Sequence, residues 1–198
     1  MIELGPARES DIVLAFLRAE IDSPQYCERI QNVLQTVGVT RQQLIDDADL
    51  NSDCCNALRR VVLESYRGYL SKSALFAGFP RAVTWRRVEL EETDLNRLRY
   101  LNYPEWVSHS EETRLPRRVA DRIARGELRD LAKKVIGIQE RLKRGETLLE
   151  LVAVEGNEDD LILIEGANRS TAYVGLQWKM NVRAFIGRSP LMRNWQFF

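Results

Sequence analysis

The stretch Leu161-Ile-Leu-Ile-Glu165-Gly166-Ala167-Asn168-Arg169-Ser170-Thr171-Ala-Tyr173 gathers the residue types of an anion site. Its four leading apolar residues read as a buried strand, the glycine as a turn, and Asn168 to about Leu176 as a helix. The first N–H groups of a helix have no partner inside it and carry partial positive charge, so this junction suits phosphate groups. Gly166 lets a phosphate come close to the backbone with no Cβ in the way, and Arg169 offers a forked donor for two of its oxygens. Asn168 adds an amide, and Ser170 and Thr171 add hydroxyls in the first helical turn. Glu165 has two readings. It is a ligand for a metal ion or a substrate hydroxyl, or it is a structural cap for a neighbouring turn.

A second group with chemical potential is Ser110-Glu111-Glu112-Thr113-Arg114. Arg114 could contact phosphate, and Glu111 or Glu112 could bind Mg²⁺ or act as a base toward a hydroxyl. The same residues also fit a solvated loop that caps the next helix. His109 is the only histidine of the chain, which excludes a His-rich zinc site and paired catalytic histidines. A lone loop histidine is more often incidental. Cys54 and Cys55 are adjacent, so with Cys27 they form neither a redox pair nor a metal knuckle. They read as small helix residues near the core.

These groups need a scaffold, and the 198 residues divide into two patterns. Residues 1–80 read as a helical subdomain. A first helix opens at Glu9 or Ser10, carries Ile12, Phe16 and Ala19, and ends at Asp22-Ser23-Pro24. A second, with Ile30, Val33, Leu34 and Val37, stops at Gly38. A short third follows Thr40. A long fourth starts at Asn51 or Ser52 and turns Leu58, Val61, Val62, Tyr66 and Tyr69 to the core. The breakers Phe76-Ala-Gly78-Phe79-Pro80 mark a boundary.

Residues 81–198 mix strands and helices, which makes the fold class α+β, with the helical subdomain packed on a small mixed sheet. Strands are expected at Val83–Leu90, Leu149–Val154, Leu161–Ile164 and Val182–Ile186. Helices are expected at about 116–125 and at Leu128–Lys143, the latter stopped by Gly145. Residues 94–113 give no clear pattern. Ser189-Pro190 opens a terminal helix. The apolar tail to Phe198 docks across the N-terminal helices or joins a dimer interface, and Trp85, Trp106, Trp178 and Trp195 help seal the core.

Hydrophobic content of 44% and charged content of 29% are those of a soluble globular chain. The apolar runs are too short to span a bilayer, and no signal peptide opens the sequence. A cytoplasmic monomer or homodimer is therefore expected. The formal charge is zero overall, but Arg114–Arg144 holds eleven basic residues against four acids, and an acidic hairpin follows. The basic helices of residues 114–144 could track a nucleic-acid backbone, pair with that hairpin, or form a solvated face.

On the order Leu128–Lys143, Gly145, Leu149–Val154, Leu161–Ile164 and Glu165-Gly166-Ala167-Asn168-Arg169, residues from about 83 to 198 resemble the ParB/sulfiredoxin-like superfamily. Thr171-Ala172-Tyr173 also resembles the residues after that family's arginine. The family includes CTP-hydrolysing DNA segregation clamps, sulfiredoxins, free-serine kinases and ParB-like nucleases. Ala167-Asn168 stand where sulfiredoxin needs its cysteine, so that chemistry is not implied. Asn168 also replaces the histidine of the kinase and nuclease-like branches and cannot act as a general base. No helix-turn-helix reader of the kind found in the clamps is expected after the last strand.

The resemblance implies a nucleotide (ATP, ADP or CTP) with Mg²⁺, bound through Gly166, Ala167, Asn168, Arg169, Ser170, Thr171 and Arg114. Glu165 and Glu112 would hold the metal and, with Arg169, carry catalysis. The reaction would be phosphotransfer to a small hydroxyl substrate or nucleotide hydrolysis. The competing expectation is a non-enzymatic, nucleic-acid-associated or regulatory module using the basic helices, and a third is a pure scaffold.

Overall fold

The computed structural model describes residues 1–157, 159–177 and 179–198. Trp178, expected to help seal the core, and Glu158, part of the acidic hairpin, lie outside the described residues.

The architecture is α+β, as expected. Six strands form one mixed sheet: β1 (Ile2–Ala7), β2 (Thr84–Leu90), β3 (Leu98–Tyr100), β4 (Leu151–Glu155), β5 (Leu161–Glu165) and β6 (Val182–Arg188), in the order β1-β2-β6-β4-β5-β3. The β6/β4 and β5/β3 pairs are parallel and the others antiparallel. Among the described residues, eight α-helices surround the sheet. They are α1 (Glu9–Glu20), α2 (Cys27–Thr36), α3 (Asp53–Arg67), α4 (Glu92–Leu95), α5 (Pro104–His109), α6 (Pro116–Ala124), α7 (Arg129–Lys143) and α8 (Ala167–Gly175).

The two central strands explain the layering. Side chains alternate between sheet faces. Val152, Val154, Ile162 and Ile164 pack with Phe16, Leu17 and Phe76 of the N-terminal segment. Leu151, Ala153, Leu161 and Leu163 pack with Val119, Val135 and Val174 of α6, α7 and α8. Both faces are therefore covered, and this is why β4 and β5 read as unbroken apolar runs rather than as alternation. The N-terminal segment closes on itself through Arg59. Its fully buried guanidinium donates to the carbonyls of Leu44 (2.7 Å) and Asp49 (3.1 Å) and to Asn56 Oδ1 (2.5 Å), tying the turn Gln42–Asp46 to α3.

Several expectations differ from the structure. Residues 2–7, read as part of a helical region, form the edge strand β1, whose Ile2 and Leu4 stay exposed. Its bulge at Glu3/Gly5 and Pro6 blur the period-two signal. Residues 94–113 hold the end of α4, then β3 and α5. The segment after Ser189-Pro190 makes only a short 3₁₀ turn, Met192–Asn194. The tail docks, as one of its two readings held. Trp195 Nε1 donates to Leu75 O (2.8 Å), Gln196 N–H to Ala77 O (3.0 Å), and Asn102 N–H to Phe197 O (2.9 Å). Of the cysteines, half-buried Cys55 packs against the core as expected, whereas Cys54 is exposed.

Candidate functional site

The parallel pair β3/β5 ends at Tyr100 and Glu165 on one edge of the sheet. A cleft of about 720 Å³ opens there, between the helical layer and the helices on the opposite face. Clefts at the carboxyl ends of parallel strands are habitual ligand sites, because loops and helix starts meet there.

The expected junction forms one wall. Gly166 has φ +101°, and a Cβ at this position would press on Leu151 and approach Arg169 Nη2 to 3.2 Å. Only glycine accepts both the backbone and the space. The first intrahelical bond of α8 runs from Ser170 N–H to Gly166 O (2.8 Å), so the N–H groups of Ala167, Asn168 and Arg169 precede it. Arg169 Nη2 donates to Glu150 O (3.2 Å) and Glu165 Oε1 (3.4 Å), while its buried Nε has no hydrogen-bond partner among the described residues. Asn168 Oδ1 is also buried without a hydrogen-bond partner among the described residues. Glu165, Gly166, Ala167, Asn168 and Arg169 all line the cleft.

The remaining expected residues serve other ends. Ser170 and Thr171 are fully buried, and both hydroxyls donate to Ala167 O (2.8 Å each). Thr171 Oγ1 also meets the Tyr100 hydroxyl at 2.5 Å, locking α8 to β3. Arg114 Nε donates to Tyr100 O (2.7 Å) and Nη1 to Phe198 O (3.5 Å), so the guanidinium braces backbone outside the cleft lining. Burial holds its pKa below the usual value. Glu112 is exposed at φ +66° and does not line the cleft, and Glu111 pairs with Arg118. The structure therefore does not bring Glu112 and Glu165 together. Among the described residues, no group of three or more acidic, cysteine or histidine side chains could hold a metal ion. His109 ends α5 with its ring edge-on to Trp106.

Many side chains of the basic helices are ion-paired, although the stretch keeps an excess of positive charge. Arg122 and Arg125 pair with Glu127, Lys133 with Asp130, Arg141 and Arg144 with Glu146, and Lys143 with Glu140. Lys134, which forms no ion pair among the described residues, lines the cleft instead.

The facing wall was not foreseen. Glu20 at the end of α1 has a side chain only 5% exposed and is held by Arg67 at the end of α3. Arg67 Nε donates to Glu20 Oε2 (3.3 Å) and Nη2 to Oε1, and the guanidinium lies over the Tyr26 ring, 4.2 Å from its centre. Burial raises the Glu20 pKa from its ordinary value, Arg67 offsets part of this, and Glu165 adds repulsion from across the cleft. Burial alone would lower the pKa of Arg67, but Glu20 outweighs it and leaves it raised. The buried Tyr66 hydroxyl lies near Glu20 but is not aligned for a hydrogen bond, and burial pushes its pKa up. Aromatic rings complete the cleft. Tyr100 stacks on Trp106 with centroids 4.5 Å apart, and Tyr103 leans on Phe197. A sequence signal for this wall existed, since Glu20 continues the apolar stripe of Ile12 and Phe16 by one further turn.

Comparison with family models, curated proteins and solved structures gives no match. No helix among the described residues is long and apolar enough to cross a membrane.

Proposed function

We propose that the chain is a nucleotide-binding enzyme of the ParB/sulfiredoxin-like fold, with the nucleotide's phosphates set against Gly166–Arg169. One observation carries this reading. Three N–H groups ahead of the first helical bond, the unpartnered Arg169 Nε and the glycine that clears space for them converge on a cleft with aromatic walls. Such a cleft gives phosphate its donors and a base its stacking surface. The order α7, Gly145, β4, β5, Glu165-Gly-x-x-Arg169 and α8 supports the same family reading.

The donors also fit a Mg²⁺ ion arriving with the nucleotide. This ion commonly takes one or two carboxylates together with phosphate oxygens and water. Glu165 would hold it through one oxygen, and the ion would supply neutralisation of phosphate charge. Arg169 would grip the phosphoryl group being transferred. The acceptor oxygen bonds to the terminal phosphorus as the P–O bond to the departing nucleotide breaks, the electron pair leaving with that nucleotide. The acceptor's proton passes to solvent water as the new bond forms. A small hydroxyl compound as acceptor makes this phosphotransfer, and water makes it hydrolysis.

The test is thermal unfolding with ATP, ADP and CTP, each with Mg²⁺. At a hundredfold excess over Kd, binding adds about 2.7 kcal/mol, which is roughly 5–10 °C in Tm for a chain of this size. Arg169→Ala should abolish the rise. The absence of any saturable shift with all three nucleotides would sink the reading.

A further inference from the structure

The Glu20–Arg67 pair has no evident stabilising purpose. A buried ion pair seldom outperforms apolar residues of the same volume, and the fold disfavours the ionised form of this Glu20. The pair does immobilise a guanidinium. Two of the three nitrogens of Arg67 are held by Glu20, Tyr26 lies against its face, and Nη1 makes no hydrogen bond among the described residues. Arg67 is 20% exposed and lines the cleft, as does Arg29 of α2, which forms no ion pair among the described residues. Glu165 on the opposite wall is near enough to act on both Glu20 and Arg67.

We infer that the helical wall carries a second anion-binding point, Arg67 assisted by Arg29, so that the cleft selects an extended polyphosphate chain reaching across from Gly166–Arg169. This rests on the reading of the Gly166–Arg169 turn as a phosphate site. A single phosphate fills only the turn, whereas a di- or triphosphate also meets Arg67, which its carboxylate partner has already fixed in place. The helical subdomain then measures phosphate-chain length, and Glu20 is a positioning residue acting through Arg67. One charge-assisted hydrogen bond between guanidinium and phosphate accounts for roughly tenfold or more in affinity.

The experiment titrates the full chain by calorimetry with orthophosphate and with tripolyphosphate at fixed ionic strength. Wild type should bind tripolyphosphate at least about tenfold more tightly. The Glu20→Gln/Arg67→Gln double variant should keep its orthophosphate affinity and lose the preference, and Arg169→Ala should lose both ligands. A purely structural Glu20–Arg67 pair would change the melting temperature and leave the preference intact, which would overturn the inference. Equal affinity of wild type for the two ligands would overturn it as well, with the turn still standing as a phosphate site. If neither ligand binds wild type, the turn reading fails and the inference fails with it. Should the double variant not fold, the exposed Arg29→Ala variant decides. It should narrow the preference, and an unchanged ratio counts against the helical wall.

Discussion

A methyl group on Gly166 would press on the Leu151 side chain and the Arg169 guanidinium, and the backbone there stands at φ +101°. Gly166→Ala is therefore expected to cost about 2 kcal/mol, through strain and crowding together. Urea unfolding would show this as a lower midpoint with an unchanged slope, and a wild-type midpoint would contradict it. Glu20 gives a pH prediction. Its folded-state pKa is raised above the ordinary value, chiefly by burial. Between those two values the folded chain keeps a proton that the unfolded chain has released, so stability falls as pH rises through the window and is fully present below it. Relative to Glu20→Gln, wild type should lose urea resistance as pH climbs from about 4 toward 7. A difference that stays constant over that range would be inconsistent with the buried carboxylate described. The sequence exposed Gly166 and Arg169 because local spacing alone defines a strand–turn–helix start. It showed Glu20 only as an acid on an apolar stripe and gave no sign of Arg67, because their meeting depends on how α1 and α3 pack.

At the scale of elements, one side-chain bond ties α8, which packs on α6 and α7, to a strand of three residues. Thr171 Oγ1 and the Tyr100 hydroxyl meet at 2.5 Å in a fully buried setting, where burial also pushes the Tyr100 pKa up. Thr171→Val keeps the shape but leaves the phenol without that partner, at an expected cost of about 1–3 kcal/mol. Ser170→Ala removes only a bond back to the helix's own Ala167 carbonyl (2.8 Å) and should cost less than about 1 kcal/mol. Urea midpoints of the two variants test the contrast, and equal losses would argue against the α8–β3 lock. The strand itself was illegible in the sequence. β3 has three residues and is held by β5 on one side and by a reciprocal pairing of Tyr100 with Arg114 on the other, Tyr100 N–H to Arg114 O at 2.8 Å. Hydrophobic period needs more residues than that to register. The same pairing explains why Arg114, attractive as a phosphate ligand in sequence, braces backbone instead. The long helices α3 and α7 were legible because their apolar periods run over several turns, and the two-faced strands β4 and β5 because their apolar runs are unbroken.

For the whole molecule, the division at residue 80 separates sequence patterns but not folding units. The face of the sheet carrying Val152, Val154, Ile162, Ile164 and Phe185 is covered by side chains from residues 12–79, and edge strand β1 pairs with β2 from the other half. Uncovering five such side chains costs about 1.5–3 kcal/mol each, on the order of 10 kcal/mol together. That equals the whole stability of an ordinary domain, about 5–15 kcal/mol. A polypeptide of residues 81–198 alone should therefore lack a cooperative urea transition. The full chain should unfold in one step, with tryptophan fluorescence and far-ultraviolet circular dichroism giving coincident curves. Its tryptophans suit this comparison, since Trp85 and Trp195 sit in the shared core while Trp106 lines the cleft. A sharp, native-like transition in the isolated segment would show that the sheet layer is self-sufficient. In that case the helical layer would be a removable wall of the cleft rather than half of its core.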